Sequence, residues 1–250
     1  GSDASRDDLA VAAFFATDSD HPAADEAFAR VLAGEGDGSV TIGQWDSEED
    51  LHRLVVDALT DEFGLTAGSS DSLKASLGAT ETYNGRPAFN FGTGGQGAER
   101  WQLLSPVRAR DGGVDGLNQL VRRTWRRRDA ISARDNYKLP SPMGADEILY
   151  HDKVMVVRNH GMKAERIADR AKVSGEVANG EIGMATWWAG KKGLKVELST
   201  QPGLHFVFWE SDLNGDNERG AEELELAYAV TVHKSQGSQF GITFVVVPNP

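Results

Sequence analysis

Apolar positions in the first 145 residues follow two periods in turn, and this predicts strands that alternate with helices. Two short apolar runs, Val40–Ile42 and Trp101–Val107, each precede a segment whose apolar residues recur every three or four positions. These helical segments are expected to begin near Asp46 and near Val114. A strand followed by a helix is the repeating unit of an α/β domain. The glycine-rich segment 67–99 lacks either period and is expected to be a long surface loop.

The pattern changes after residue 146, where short apolar runs separated by turn residues follow one another. Several such runs occur before residue 210, with one short helix expected near Ala164–Ala171. Several short strands in under about 80 residues are typical of a small β-barrel. From Leu226 onward the pattern returns to a strand, then to a turn and a helix within His233–Phe240, and then to a strand over Ile242–Val247.

These patterns together predict an α/β domain that is interrupted by a small β-barrel. The α/β domain comprises residues 38–145 and 224–250, and the inserted barrel comprises residues 146–223. Residues 1–37 form an N-terminal segment whose role the sequence does not indicate.

Composition excludes several classes of protein. The chain has 250 residues, of which 40% are hydrophobic, so it can bury a sizeable core. It contains no cysteine, which removes disulfides and thiolate metal sites, and its six scattered histidines give no reason to expect another metal site. No apolar run reaches the roughly 18 residues of a membrane span, and no secretory leader is recognisable. The expected location is therefore cytoplasmic, with no membrane partner.

The formal net charge of −12 argues against a nucleic acid partner only if the charges are evenly mixed. They are segregated, because acidic residues crowd the first 80 positions and the stretch Glu210–Glu225. Phosphate binding depends on the local potential, so a local cluster of arginines favours a nucleic acid partner. The alternative is that these arginines only form a solvated helix face. The cluster consists of Arg108, Arg110, Arg122, Arg123, Arg126, Arg127 and Arg128.

The strongest chemical signal is the string Ala227–Phe240, whose sequence is AYAVTVHKSQGSQF. An apolar strand here delivers hydroxyl, imidazole and ammonium groups onto a turn that contains Gly237. Such groups at the end of a strand, beside the N-terminus of the expected helix, suit phosphate oxygens. The string therefore predicts a phosphate-binding segment.

The string resembles motif V of the RecD-like superfamily 1 DNA helicases, the group that includes the α subunit of exodeoxyribonuclease V. Thr-x-His-Lys-Ser-Gln-Gly is characteristic of that motif, which binds single-stranded DNA and touches the nucleotide from the second of two RecA-like domains. Family members usually carry glutamate where this chain has Gln239, but an amide can still hydrogen-bond a ribose hydroxyl. The resemblance implies that DNA is contacted by Thr231, His233, Lys234 and Ser235, and the nucleotide by Gly237 and Gln239.

Two further stretches resemble the same family, and they occur in the family's order along the chain. Leu103–Arg108, with the Gly-Leu-Asn sequence that follows it, resembles motif IV, in which an arginine approaches the γ-phosphate. Arg108 is therefore the candidate catalytic residue, the alternative being an arginine that caps a turn. The stretch His151–Asn159, together with Asn179–Gly183, resembles the SH3-like barrel inserted into this domain, and Asn159 is a further candidate DNA contact. The family usually has glycine where His151 stands.

The resemblance implies a RecA-like P-loop NTPase-type second helicase domain, of the UvrD-like C-terminal class, with an inserted SH3-like barrel. The chain contains no Gly-x4-Gly-Lys-Ser/Thr phosphate loop, so the expected function is that of the C-terminal part of an ATP-dependent DNA helicase. This part would grip single-stranded DNA and complete the ATP site of a missing N-terminal RecA-like domain. ATP and Mg²⁺ belong to the full-length protein, and this part alone is expected to bind neither and to be inactive.

Two alternatives to a motor stay open. With Gln239 and an acidic surface, the same fold could serve as a nucleic-acid- or protein-docking module without motor activity. The segment could also belong to a relaxase or nuclease that contains a helicase-like part. An upstream phosphate loop would decide in favour of the motor.

Two local patterns are interpreted as structural. Gly92–Gly97 satisfies Gly-x-Gly-x-x-Gly but is followed by a strand, so it is expected to be a flexible loop. Adjacent residues of a strand point to opposite sides. At most one of Trp187 and Trp188 is therefore expected to face a ligand such as a nucleic acid base, and the other to lie in the core.

Overall fold

A computed structural model describes residues 7–8, 22–83, 85–136, 139–217 and 220–248. These residues belong to two compact units, one within residues 1–54 and the other within residues 55–250. Among the residues described, no helix is long and apolar enough to cross a membrane.

The first unit contains helix α1 (Pro22–Leu32) and the beginning of helix α2 (Glu48–Phe63). The carboxylate of Asp7 accepts hydrogen bonds from the Arg30 guanidinium and from the backbone N–H of Asp37. A carboxylate that is itself almost fully buried therefore links the chain before α1, the helix and the chain after it.

The sequence predicts the start of α2 correctly but predicts a strand before it that does not form. The Ser47 hydroxyl accepts a hydrogen bond from the N–H of Asp50, which caps α2 as expected. Residues 40–45 adopt no regular structure, and Ile42 is exposed. The predicted strand Val40–Ile42 is wrong, because no strand among the described residues pairs with this short run.

The second unit contains the remaining elements. In chain order they are α3 (Ser70–Ser76), β1 (Glu81–Tyr83), β2 (Arg86–Ala88), β3 (Trp101–Ser105), α4 (Val114–Val121), a π-helical turn (Arg122–Arg126), α5 (Arg127–Asp135), β4 (Lys153–Val156), β5 (His160–Arg166), β6 (Lys172–Val177), β7 (Ile182–Trp188), β8 (Gly193–Leu198), β9 (Leu204–Trp209), α6 (Glu210–Asn214), β10 (Leu224–Leu226), β11 (Ala229–Thr231) and β12 (Ile242–Val245).

Three strands form a parallel sheet in the order β11, β3, β12. Ala229 of β11 and Phe244 of β12 both lie opposite Leu103 of β3, one on each side. The sheet therefore joins two stretches of sequence that flank the whole segment β4–β10. It confirms the mixed α/β class that the alternating apolar periods predict.

Helix α4 packs on the parallel sheet and also holds its edge strand in place. Its buried face includes Leu117 and Val121. The buried Asn118 side chain accepts a hydrogen bond from the N–H of Ala229 at 2.9 Å and donates to the carbonyls of Leu226 and Ala229 at 3.2 and 3.1 Å. One amide thus satisfies three backbone groups where β10 passes into β11.

Seven strands form an antiparallel sheet in the order β10, β4, β7, β8, β9, β5, β6. One face of this sheet is buried, and its side chains include Leu194, Val196, Phe206 and Phe208. The short helix predicted near Ala164–Ala171 is wrong. Strand β5 occupies the first part of that stretch because it pairs with β6 on one side and with β9 on the other.

The segment 67–99 is packed structure and not the surface loop that the sequence predicts. It contains α3, the β1–β2 hairpin and a 3₁₀ helix over Gly94–Glu99, which includes most of the expected flexible loop Gly92–Gly97. A side-chain carbon at Gly95 would lie 2.4 Å from the carbonyl oxygen of Glu197. Glycine at this position therefore lets the 3₁₀ helix lie against β8.

A buried lysine joins the two sheets. Lys153 of β4 donates hydrogen bonds to the carbonyl oxygen of Trp101 at 2.6 Å and to the side-chain oxygen of Gln102 at 2.7 Å, both in β3. Gln102 in turn donates to the carbonyls of Ala227 and Tyr228. Burial lowers the pKa of the Lys153 ammonium well below its ordinary value of 10.5.

This lysine gives a testable pH dependence. Between its lowered folded-state pKa and 10.5, the unfolded chain binds a proton at Lys153 that the folded chain does not, so stability is lost as the pH falls. We expect the free energy of unfolding to rise from pH 7 to about pH 9, below the range in which tyrosines ionise, and Lys153→Met to reduce that rise. Urea unfolding at several pH values checks this, with the exposed Lys172→Met as control. An unchanged slope in Lys153→Met would contradict it.

Candidate anion-binding site

Two cationic side chains that the sequence assigns to separate motifs meet at one carboxylate. Glu225 of β10 is almost fully buried. One of its oxygens accepts a hydrogen bond from the Arg108 guanidinium at 2.9 Å, and the other accepts one from the Lys234 ammonium at 2.7 Å. We call Arg108, Glu225 and Lys234 the Glu225 cluster.

The parallel pairing of β3 with β11 explains why these side chains meet. Ser105, at the end of β3, lies opposite Thr231, at the end of β11. The carboxyl ends of parallel strands lie at the same edge of a sheet, where ligands of open α/β folds commonly bind. The loops that follow the two strands therefore carry Arg108 and Lys234 to one place.

The chain after β11 forms consecutive turns, and the helix predicted within His233–Phe240 is wrong. The N–H of Ser235 bonds to the carbonyl of Thr231 at 3.2 Å, which starts a helical path. Gly237 then takes a φ of +84°, in the left-handed region, and the turns end there. This stretch therefore contributes its side chains to the site and not the N-terminus of a helix.

The structure places the other motif residues around the same turn. The Thr231 hydroxyl accepts a hydrogen bond from the N–H of Lys234 at 3.3 Å, and the Ser235 hydroxyl donates to the carbonyl of Val232 at 2.8 Å. These two hydroxyls therefore shape the turn that presents Lys234. The solvent-exposed residues of this stretch are Val232, His233, Gln236, Gly237 and Gln239.

Asn159 lies next to this turn but does not join the Glu225 cluster. Its side-chain oxygen accepts a hydrogen bond from the N–H of Asn179 at 2.6 Å, which ties together two turns of the antiparallel sheet. A side-chain carbon at Gly180 would lie 3.4 Å from the carbonyl oxygen of Lys234. The turn between β6 and β7 is therefore a direct neighbour of the turn that contains Lys234.

Two further acidic residues surround Arg108. The carboxylate of Asp115 lies 3.4 Å from Nε of Arg108, and the carboxylate of Asp146 accepts a hydrogen bond from the N–H of Leu226 at 2.9 Å. Burial, together with the negative charges of Glu225 and Asp115, raises the pKa of Asp146. The hydrogen bond with Glu225 raises the pKa of Arg108, so the guanidinium stays charged. An incoming anion has to compete with Glu225 for the two cations.

Neither Glu225 nor Asp146 is among the site residues that are predicted from the sequence. Glu225 stands between Leu224 and Leu226 in an apolar strand, and a lone charge in that position is a signal that could have indicated it. Asp146 carries no such signal, because it reaches the cluster through a backbone hydrogen bond that only the fold creates.

The arginine cluster divides into surface and core residues. Arg122 and Arg126 are buried in the π-helical turn, a feature often found at functional sites. Nε of Arg126 bonds to the buried carboxylate of Asp152 at 3.0 Å, and that carboxylate also accepts a hydrogen bond from the Tyr228 hydroxyl at 2.8 Å. The prediction of a basic surface is therefore wrong for Arg122 and Arg126. The exposed members are Arg108, Arg110, Arg123, Arg127 and Arg128.

Trp187 and Trp188 lie against each other, although the sequence predicts that they point to opposite sides of β7. Their ring centroids are 4.4 Å apart and their planes differ by 12°. The pairing of β7 with β8 shifts by one residue between Ala185 and Trp187, and such a bulge breaks the alternation of side chains. The prediction that one of them lies in the core is wrong, because both are partly exposed.

Comparison with known proteins assigns no family to this chain. No protein-family model matches it, and no curated protein matches its sequence.

Proposed function

We propose that this chain is the C-terminal part of a RecD-like superfamily 1 DNA helicase, which binds the backbone of single-stranded DNA and completes the ATP site of another RecA-like domain. The observation that carries this proposal is the convergence of Arg108 and Lys234 on Glu225. A guanidinium and an ammonium that share one carboxylate can share one phosphate, because the oxygens of both anions accept the same charge-assisted hydrogen bonds.

The arrangement of the segments supports this proposal. Motifs IV and V follow neighbouring parallel strands, and the segment that resembles the SH3-like barrel lies in an antiparallel sheet between them in sequence. His151, where the family usually has glycine, has a φ of +74°, a conformation that favours glycine. These features concern separate parts of the chain, and each agrees with the resemblance.

The role proposed for each residue follows from the chemistry of its side chain. In the complete enzyme, the partner domain would hold ATP and Mg²⁺, which would supply the phosphoryl chemistry. Arg108 would neutralise nucleotide phosphate, and the permanent charge of a guanidinium suits that role. Thr231, His233 and Lys234 would contact the DNA backbone without selecting a sequence.

One observation favours the docking-module alternative. Glu225 already satisfies both cations, and Asp115 and Asp146 add further negative charge, so the resting site could instead receive a basic partner. A docking module would show no ATP hydrolysis when joined to its upstream segment, whereas a motor half would restore DNA-stimulated hydrolysis.

The binding test uses labelled oligo-dT and fluorescence anisotropy at about 50 and 200 mM salt. The double variant Arg108→Ala/Lys234→Ala is expected to bind about fivefold more weakly, with a shallower salt dependence, because two phosphate contacts are lost. Arg123→Ala/Arg127→Ala, which removes two exposed cations from the arginine cluster, is the matched control. If only the control binds more weakly, the DNA lies on the π-helical turn and α5, and the proposal is contradicted.

A further inference from the structure

One face of the antiparallel sheet carries two tryptophans on either side of a lysine. Trp187 of β7 lies opposite Lys195 of β8, and Lys195 lies opposite Val207 of β9. Trp209 lies two residues beyond Val207, so the alternation of a strand places it on the same face. We call Trp187, Lys195, Val207 and Trp209 the tryptophan face.

Trp209 is held in place and is still accessible. Its side chain is 49% exposed, which is unusual for the largest apolar residue. A side-chain carbon at Gly193 would lie 2.9 Å from two carbons of the indole ring, so the ring lies directly against the Gly193 backbone. A ring that is already ordered loses little entropy when a ligand stacks on it.

Trp187 is ordered in a different way. It stacks on Trp188, and the ring of Phe91 meets it edge-on with centroids 5.2 Å apart. Phe91 is itself 46% exposed. From the strand spacing and the rise per residue, Trp187 and Trp209 are about 12 Å apart. The face therefore offers the exposed indole of Trp209 and the partly exposed indole of Trp187, with Lys195 between them.

The local charge indicates what kind of ligand this face would take. Residues 151–209 contain nine lysines and arginines against six aspartates and glutamates, although the chain as a whole has a net charge of −12. Lys192, in the turn between β7 and β8, is 76% exposed, and its ammonium lies 3.0 Å from the carboxylate of Glu210. Lys195 is paired with Glu165, which also binds Lys172 and whose pKa those two hydrogen bonds lower to about 2. Exposed aromatic rings on a locally basic surface fit a flexible polyanion that also has aromatic groups.

We propose that the tryptophan face binds single-stranded nucleic acid, with bases stacked on Trp209 and Trp187 and with phosphates near Lys192 and Lys195. Stacking of this kind tolerates any sequence, because every base has an aromatic face. The proposal goes beyond the function of the Glu225 cluster and needs none of its residues. Strand β7 links the two places: it starts beside the turn of Gly180, next to Lys234, and reaches Trp187 about 20 Å away.

The experiment measures the affinity of the full chain for a labelled twelve-nucleotide oligo-dT. Trp209→Ala is expected to weaken binding about fivefold, at the lower end of the effect of removing one base stack. Trp209→Phe keeps an aromatic ring and is expected to recover most of the affinity. Ile131→Ala is the matched control, because Ile131 has the same exposed fraction of 49% but lies on α5. Equal affinities of Trp209→Ala and Ile131→Ala would overturn the proposal.

Photocrosslinking tells this proposal apart from the function proposed for the Glu225 cluster. An oligo-dT that carries 5-iodouracil is expected to crosslink to the peptide that contains Trp209. The crosslink is expected to persist in Arg108→Ala/Lys234→Ala, because the tryptophan face does not need those cations. Crosslinks confined to the motif V turn would overturn the tryptophan face and leave the Glu225 cluster standing. Crosslinks at Trp209, together with an unchanged affinity of Arg108→Ala/Lys234→Ala for oligo-dT, would support the tryptophan face and overturn the function proposed for the Glu225 cluster.

Discussion

Replacing Asp152 by alanine is expected to lower the free energy of unfolding by about 3–5 kcal/mol. Asp152 is fully buried and bonds to Nε of Arg126, to the hydroxyl of Tyr228 and to the N–H of Leu149. Its removal leaves the buried Arg126 guanidinium paired with the partly exposed carboxylate of Asp129 and without its fully buried counter-charge. Removing one partner of a buried ion pair is strongly destabilising, because the other charge stays in a medium that solvates it poorly.

Urea unfolding followed by tryptophan fluorescence measures this effect. Asp169→Ala is the matched control, since Asp169 pairs with Arg166 in an exposed turn and is expected to change the unfolding midpoint very little. Asp152→Asn keeps the shape and some of the hydrogen bonds, so it is expected to fall between the wild type and Asp152→Ala. A wild-type midpoint for Asp152→Ala would contradict the assignment of Arg126 to the core.

Replacing Glu225 by glutamine is expected to tighten the binding of oligo-dT about tenfold, which corresponds to about 1.4 kcal/mol. In the resting protein Glu225 occupies both Arg108 and Lys234, and it repels phosphate by its own charge. Hydrogen bonds to charged groups contribute about 1.5–3 kcal/mol. Replacing the carboxylate by a neutral amide weakens its hold on the two cations and makes them available to the ligand.

The same anisotropy titration tests this prediction, with Glu62→Gln on the exposed side of α2 as the control for a lost negative charge. Glu225→Gln is also expected to lower the pKa of Asp146, because one of the negative charges that raise it is removed. That change can be followed by NMR titration of the carboxyl group. Weaker binding in Glu225→Gln would mean that the carboxylate positions the cations and does not compete with the ligand.

The sequence predicts the elements whose pattern is set by local burial. The strands β3, β11 and β12 and the helices α2 and α4 each have an apolar side that repeats with the period of the element, so their existence follows from the chain alone. Val40–Ile42 has the composition of a strand but no partner, and pairing is a property of the fold. The packing of segment 67–99 depends on the carbonyl of Glu197, about a hundred residues further along the chain.

Only part of the candidate site can be predicted from the sequence, because strand pairing in the fold brings its residues together. Arg108 and Lys234 stand out because of the motifs that contain them, but nothing in either motif indicates that they share a carboxylate. The bulge before Trp187 moves a side chain that simple alternation places elsewhere, and it depends on how β7 pairs with β8. Local sequence patterns therefore indicate which residues have functional side chains, whereas strand pairing decides which of them come into contact.

The connectivity of the parallel sheet has a consequence for synthesis on the ribosome. Most strands of the antiparallel sheet pair with strands close to them in sequence, so they can assemble soon after they emerge. Strand β3 has to wait for β11 and β12, which follow more than a hundred residues later, and until then both of its edges are open. Open edges invite pairing with other chains. A nascent chain halted before Ala229 would therefore be the species most prone to aggregate, and the anion-binding site would form last.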